Sequence, residues 1–248
     1  MPAQHPLIQV PLGALHPTQI TVGLAEVAAK RARWATLAPQ ERERALAGHW
    51  FPAVLGPGGR YYIVDHHHLG IALEEVGIGS AWVMLLDDLS VVEGEHFWRA
   101  MEFHHWAHPY DERGRRREYD AIPSRISRLR DDPYRSLAGL VRDAGGYAKD
   151  AEPFAEFLWA DFFRSHIARK KLRAAPGSQT LPADALTQAL ALARDPGARY
   201  LPGWAGATAQ ATPTSTAPAA GAPTAKATKS IKPAKAAKTE KSDAKADK

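Results

Sequence analysis

Over residues 7–15 (LIQVPLGAL) apolar and polar positions alternate with the two-residue period of a short strand, and HPTQ at 16–19 reads as a turn. The spacing then lengthens to that of a helix. In GLAEVAAKRARWATL (23–37), Val27, Ala28, Arg31, Trp34 and Ala35 recur at helical spacing. APQERERALAGHW (38–50) predicts a second short helix, with Pro39 in the first turn, where a missing N–H is harmless. FPAVLG (51–56) and RYYIVD (60–65) predict a hairpin-like pair across the GPGG turn at 56–59. HHLGIALEEVG (67–77) puts Leu69, Ala72, Leu73 and Val76 on one helix face with Gly77 as the stop, and SAWVMLLDDL (80–89) is a further strand.

Beyond that point the spacing is helical: residues 93–107, 124–131, 134–145, 153–172 and 182–196 all predict helices. The expected fold class is α/β, in the α+β sense. A small mixed sheet with helices occupies 1–92, and a helical extension packed on it occupies 93–200. From 205 to 248 the chain turns to Lys, Ala and Pro, and Ile231 is its one large apolar residue. Nothing there offsets the entropy of ordering, so a disordered tail is expected.

Composition sharpens this division. The chain has 248 residues, 45% hydrophobic and 24% charged, enough for one good-sized core or two small ones. With no cysteine, disulfides, thiolate zinc sites and Cys nucleophiles are excluded. The first residues show no basic stretch followed by an apolar one, and no run approaches the ~20 apolar residues of a membrane helix. A soluble, cytoplasmic protein with no membrane partner is expected. The formal charge is +5, but residues 226–248 hold eight lysines against Glu240, Asp243 and Asp247, leaving 24 basic and 24 acidic residues elsewhere. The body is neutral and the basicity belongs to the tail. There Lys226, Lys229, Lys232, Lys235, Lys238 and Lys241 recur every third residue. Such a polycation can hold nucleic-acid phosphates without reading sequence, or serve only as a solvated, low-complexity tail.

The chemistry concentrates at Asp65-His66-His67-His68, where the predicted strand meets the predicted helix. A helix start presents unpaired N–H groups and a positive dipole end, which favour an anion. Imidazoles placed there can donate to a phosphate oxygen or move a proton near neutral pH. Asp65 can orient an imidazole or help hold a metal ion such as magnesium. The set suits phosphoester or phosphoanhydride chemistry; the plainer alternative is Asp65 as N-cap and histidines that solvate the helix start.

Three further groups carry weaker signals. Glu26 and Lys30 stand four apart near Thr18-Gln19, the spacing of an ordinary ion pair. Arg135-Ser136, with Tyr147, Lys149 and Glu156, can close over an anion or dock the helical half through a carboxylate. His104 and His108, with His96 and His105 nearby, have the spacing of a helical chelating pair, but no third ligand accompanies them. Phe97, Trp98, Met101 and Trp106 read as core rather than as a base-stacking platform. Residues 113–135 hold eight arginines against four acids, a moderate basic patch without helix-turn-helix spacing.

HPTQITVG (16–23), YYIVDHHHLGIAL (61–73) and DPYRSLAGLVRDAGGYAKDAEPFAEFLWADFFR (132–164) together resemble the ParB-like nuclease family, the second ParB-type group of the ParB/sulfiredoxin-like superfamily. The likeness covers roughly residues 8–170. It implies a ParB/sulfiredoxin fold in which a strand ends in a short polar motif and the following helix start holds nucleotide phosphates. Members use those phosphates for CTP-gated DNA clamping, ATP-dependent sulfinic acid repair or phosphoryl transfer to serine. Against that pattern this chain has His66 in place of glycine and Leu69 in place of arginine, the bidentate phosphate ligand. Lys30, Arg60 or Arg135 would have to supply the missing cation. In the kinase branch a glutamate on the first helix is the catalytic base, and Glu26 is the nearest match.

The function expected is a metal-assisted nuclease or nucleotide hydrolase with Asp65, His67, His68 and Glu26 as catalytic residues. Thr18, Gln19, Lys30, His66, Arg135 and Ser136 would hold the substrate phosphate, and Asp65 a magnesium or manganese ion. A nucleotide is the other cofactor this reading admits. The alternatives are a non-catalytic DNA-associated or regulatory binding protein acting through its tail, and a kinase of a small metabolite.

Overall fold

The computed structural model describes residues 7–174 and 180–206. The lysine-rich tail therefore lies outside the described residues. Seven α-helices and seven strands are present among them, and none of the helices is long and apolar enough to cross a membrane. The main sheet has five strands, β1 (Leu7–Pro11), β2 (Leu15–His16), β4 (Phe51–Gly56), β5 (Arg60–Ile63) and β6 (Ser80–Asp88), in the order β1-β6-β4-β5-β2. Pairing is mixed: β4 and β5 form the expected antiparallel hairpin, with Gly56 opposite Arg60, while β4 runs parallel to β6 and β2 parallel to β5. The predicted strand at 7–15 is interrupted, because a 3-10 turn at Leu12–Ala14 buries Leu12 and redirects the chain to the opposite sheet edge.

Alternation along the strands divides the core. On one face Phe51, Ala53, Ile63 and Val83 meet α1 (Leu24–Thr36) and α3 (His67–Glu75) through Val27, Trp34, Leu69 and Leu73. On the other, Val54 and Tyr62 meet Phe97 and Met101 of α4 (Gly94–Phe103). The short α2 (Pro39–Ala47) buries no residue; Glu41 reaches back to the Ala38 N–H at 2.8 Å, half of a capping box whose other half an alanine cannot supply. A second core lies among α5 (Pro133–Asp143), α6 (Ala155–His166) and α7 (Ala183–Arg194). Trp159 anchors it, fully buried, stacked on Tyr147 at 4.2 Å and donating to the Pro202 carbonyl at 2.8 Å. Truncating such a ring to alanine costs about 3–5 kcal/mol.

Three helix predictions depart from the structure for identifiable reasons. The helix expected over 93–107 ends at Phe103, because Trp106 N–H bonds back to Met101 and His105 turns left-handed (φ 57°). His104 and His108 are therefore not a chelating pair on one helix. The stretch 124–131 is a 3-10 turn at Ile126–Arg128 followed by strand β7 (Arg130–Asp131). Ile126 and Leu129 still reach the first core, which satisfies their three-residue spacing without an α-helix. β7 pairs in parallel with β3 (Thr21–Val22), so the segment just before α1 is tied to the segment just before α5. The helix expected over 153–172 likewise stops at His166 and resumes as a 3-10 turn at Arg169–Leu172.

Candidate functional site

β5 passes into α3 through Asp65 and His66, and His66 adopts the left-handed conformation (φ 66°). That is the position at which the superfamily pattern has glycine, and a side chain there costs about 1–2 kcal/mol. Asp65 does not cap the helix. Its side chain is 74% exposed, and Oδ1 accepts the adjacent His66 N–H at 2.6 Å. His67 and His68 point inward and are buried. His67 Nε2 accepts the Thr18 N–H at 3.2 Å, and His68 Nε2 accepts the Gly23 N–H at 3.1 Å. The two imidazoles clip residues 18–23 onto the start of α3. Thr18 completes the clip by donating Oγ1–H to the Ile63 carbonyl at 2.8 Å, and the Gln19 amide donates to Thr21 O at 2.7 Å.

An accepting Nε2 is unprotonated, so each neutral ring carries its hydrogen on Nδ1. Burial pushes both pKa values down to about 3, against the opposing pull of Asp65 on His67 and of Glu26 on His68. Both rings are neutral at neutral pH.

Glu26 lies in the first turn of α1, beside His68. Its Oε2 is 3.4 Å from His68 Nε2 and 3.4 Å from Arg135 Nη1, and its Oε1 is 3.5 Å from Lys30 Nζ. Burial alone would raise its pKa, but His68, Arg135 and Lys30 outweigh burial and hold the carboxyl well below its ordinary range. Because His68 is itself neutral, Arg135, Lys30 and the more distant Arg142 carry that effect at neutral pH. Arg135 is buried, lies over the Phe157 ring at 5.4 Å and reaches Glu156 at 3.9 Å, while its Nε has no partner. These distances are long for charge-assisted hydrogen bonds, which run about 2.7–2.9 Å. Glu156 is held more closely by Arg142. Ser136 Oγ accepts the Ala25 N–H at 3.3 Å and Asp131 accepts the Leu24 N–H at 3.0 Å, so the first N–H groups of α1 are occupied.

Glu26, Lys30, His68, Arg135 and Ser136 thus converge where α1, α3 and α5 meet, with Thr18 and His67 immediately behind. Gln19 belongs to the same loop. His66 borders the α3 start, its ring edge-on to Phe51 at 5.8 Å and within reach of the Lys30 charge. Asp65 points to solvent. Arg60 lies elsewhere, in a separate cleft with His16. Asp65 with His66 makes an incomplete ligand set, and among the described residues no three His, Asp or Glu side chains gather as metal ligands. The residues present do not fit a resident metal ion.

Arg142, Gly139 and Phe157 are members of the cluster not singled out from the sequence. The signal was available in RSLAGLVR, since Arg135, Gly139 and Arg142 fall on one face of α5. A Cβ on Gly139 would sit 3.2 Å from Glu26 Oε2, so the glycine is the notch into which the carboxylate fits. His108 is also a packing residue here. Its N–H donates to the Thr18 carbonyl at 2.8 Å, its ring packs on Phe157 at 4.1 Å, and burial lowers its pKa to about 3.

No curated protein matches the chain. Among solved structures, the protein Atu1540 from Agrobacterium tumefaciens is similar, with 41% identity and a TM-score of 0.73 over 81% of this chain and 97% of that one. The family profile described as "Putative ParB-like nuclease" matches residues 8–165. The mixed sheet, with α3 entered directly from the end of β5, is consistent with a ParB/sulfiredoxin-like fold. The chain belongs to the ParB-like nuclease family.

Proposed function

We propose that the protein takes a phosphate-bearing ligand at the junction of α1, α3 and α5 and hydrolyses a phosphoester or phosphoanhydride bond there, as a nuclease or nucleotide hydrolase. The observation that carries this reading is Arg135. The arginine expected after the histidines is Leu69, buried in the first core, and α5 brings a guanidinium to the same helix start, sharing Glu26 Oε2 with His68. Lys30, 39% exposed, is the accessible cation at the edge of the cluster.

Glu26 is the candidate base. While paired with two cations it is a weak one. A phosphate drawn to Lys30 and Arg135 adds negative charge beside it and loosens both pairings, and each change raises the carboxylate's proton affinity. Binding and activation are thereby coupled. Neutral His68 presents its unprotonated Nε2 to the carboxylate, so it can accept a hydrogen bond from a protonated Glu26 but does not hold the ionised form. No step is assigned to Asp65 or to a resident metal. The lysines from Lys226 to Lys241 support a polynucleotide rather than a free nucleotide as the substrate.

The test combines a thermal-shift panel of nucleotides with hydrolysis assays on single- and double-stranded DNA, in magnesium, in manganese and in chelator. Lys30→Ala should abolish the ligand-induced shift while lowering the unliganded midpoint only slightly, since Lys30 is 39% exposed and Arg135 remains beside Glu26. Glu26→Gln should keep the shift and lower turnover by about 10²–10⁴-fold, the usual range for a general base. If no nucleotide moves the midpoint and no DNA is cut in any arm, the proposal is wrong. A shift without turnover leaves the regulatory binding protein instead.

A further inference from the structure

The sheet face that carries α4, opposite the face on which α3 packs, has a cleft of about 330 Å³. Its walls are rings. His16 and Tyr62 stand 5.3 Å apart on neighbouring strands, Trp98 meets Tyr62 edge-on at 5.5 Å, and Trp98 and Tyr119 lie nearly parallel, 15° apart at 5.9 Å. Strand alternation turns Tyr62 to this side, away from Ile63. Helical spacing gives Phe97 and Met101 of α4 to the core and leaves Trp98 only half-buried, in the cleft wall. The aromatic stripe of α4 is therefore core on one side and cleft lining on the other.

The polar groups are few and placed at the margin. Arg60, Asp120 and Ser124 line the cleft, and Arg60 is exposed and makes no ion pair among the described residues. Arg125, also exposed, is near enough that its charge and that of Arg60 reach His16. An aromatic box without cations would suit an ammonium ligand, but two guanidinium groups repel one. The same groups attract a phosphate and hold it in a fork.

We infer that this cleft binds an unstacked nucleobase against Tyr62, Trp98 and Tyr119, with its neighbouring phosphate at Arg60 and Arg125. The volume lies at the low end for ligand sites, about 300–1,000 Å³, which fits one ring and its sugar and excludes a paired base. Every base has a π-face, so such a wall takes bases with little regard to sequence. Asp120 and Ser124 offer an acceptor and a hydroxyl to the ring edge. Burial, with help from Arg60 and Arg125, lowers the pKa of His16, which keeps that ring neutral and able to pack against the base. The chemistry is shared by a free mononucleotide and by a single-stranded polynucleotide. The inference does not depend on hydrolysis at Glu26.

The test uses the full-length chain and two fluorescent probes, 2-aminopurine riboside 5′-monophosphate and a short oligothymidylate containing one 2-aminopurine. Stacking should quench either probe saturably; quenching of the monophosphate identifies a free nucleotide, and quenching of the oligonucleotide alone identifies a strand. Arg60→Glu, at an exposed position, should weaken the quench at least tenfold. Trp98→Leu should remove it while a urea titration shows the fold retained. Lys30→Ala should leave it unchanged. Absence of saturable quenching with both probes overturns the proposal. So does quenching that survives Arg60→Glu and is lost in Lys30→Ala, because the probe would then sit at the α1–α3–α5 junction.

Discussion

Three imidazoles in this molecule have exchanged water for fixed partners. His67 and His68 accept backbone N–H groups of Thr18 and Gly23, and His108 is enclosed by the rings of Tyr110, Phe154 and Phe157. All three have pKa values near 3, against 6.5 for a free side chain, and burial is the main cause. The sign follows directly. The unfolded chain takes up these protons as pH falls through 6.5, the folded chain does not until about 3, and stability is lost across that window. Each histidine adds up to about 1.4 kcal/mol per pH unit to the slope. Asp131 and Asp132, pushed up by burial, act in the opposite sense, but only near the carboxylate range. Urea midpoints should therefore fall steeply from pH 7 to pH 5, and His67→Gln should flatten the fall. A midpoint independent of pH in this interval would show that the imidazoles are not held neutral. The sequence marked this triplet as exceptional, but its roles were not legible, because which lone pair meets which N–H depends on residues 45 to 49 positions away.

At the scale of elements, the site exists because α1 and α5 approach unusually closely. A Cβ on Gly23 would lie 2.6 Å from Ser136 Oγ and 2.8 Å from the Ser136 backbone nitrogen, contacts that backbone cannot yield cheaply. Gly23→Ala should therefore force the two helix starts apart and cost about 1–3 kcal/mol, the usual penalty of overpacking. Gly79→Ala, where an added Cβ meets nothing within 4 Å, is the control and should be close to neutral. Paired urea titrations decide between them, and equal midpoints would contradict the close-approach account. These glycines explain part of what the sequence concealed. Hydrophobic period located the β4–β5 hairpin, α1, α3, α5 and α7, although it gave α3 and α5 one buried face while all of His67–Leu73 and Tyr134–Gly139 are buried. It misplaced 124–131, because Ile126 and Leu129 have helical spacing while the intervening Ser127 and Arg128 face solvent and β3 recruits Arg130 and Asp131 as a strand. Pairing between strands of two residues leaves almost no local signature. The face Arg135–Gly139–Arg142 was readable as a pattern, but its meaning required Glu26, more than a hundred residues earlier.

For the whole molecule, charge and fold are separated along the chain. The described body closes on itself at its end: Ala148 N–H donates to the Gly203 carbonyl at 2.8 Å, and Trp204 packs against the second core. Everything that makes the protein basic follows residue 206, since that segment contains eight lysines and three acids while the remainder balances at 24 and 24. Two kinds of nucleic-acid affinity are thereby distinguishable. Contacts by the tail lysines are purely electrostatic, each neutralised phosphate of a single strand adding about 0.7 to the slope of log K against log salt. Contacts in the aromatic cleft combine stacking, which varies little with salt, with the phosphate contacts of Arg60 and Arg125, so their salt slope is smaller than that of eight lysines. Deleting residues 207–248 should leave the thermal midpoint of the body unchanged, because Ile231 is the only large apolar residue the segment could bury, and should sharply lower the salt slope for oligonucleotide binding. Quenching of the 2-aminopurine monophosphate should persist at full amplitude in the same truncated protein. If the truncated chain instead keeps the full salt slope, phosphate affinity resides in the arginines between Arg113 and Arg135, four of which, Arg113, Arg115, Arg125 and Arg128, are exposed and make no ion pair among the described residues.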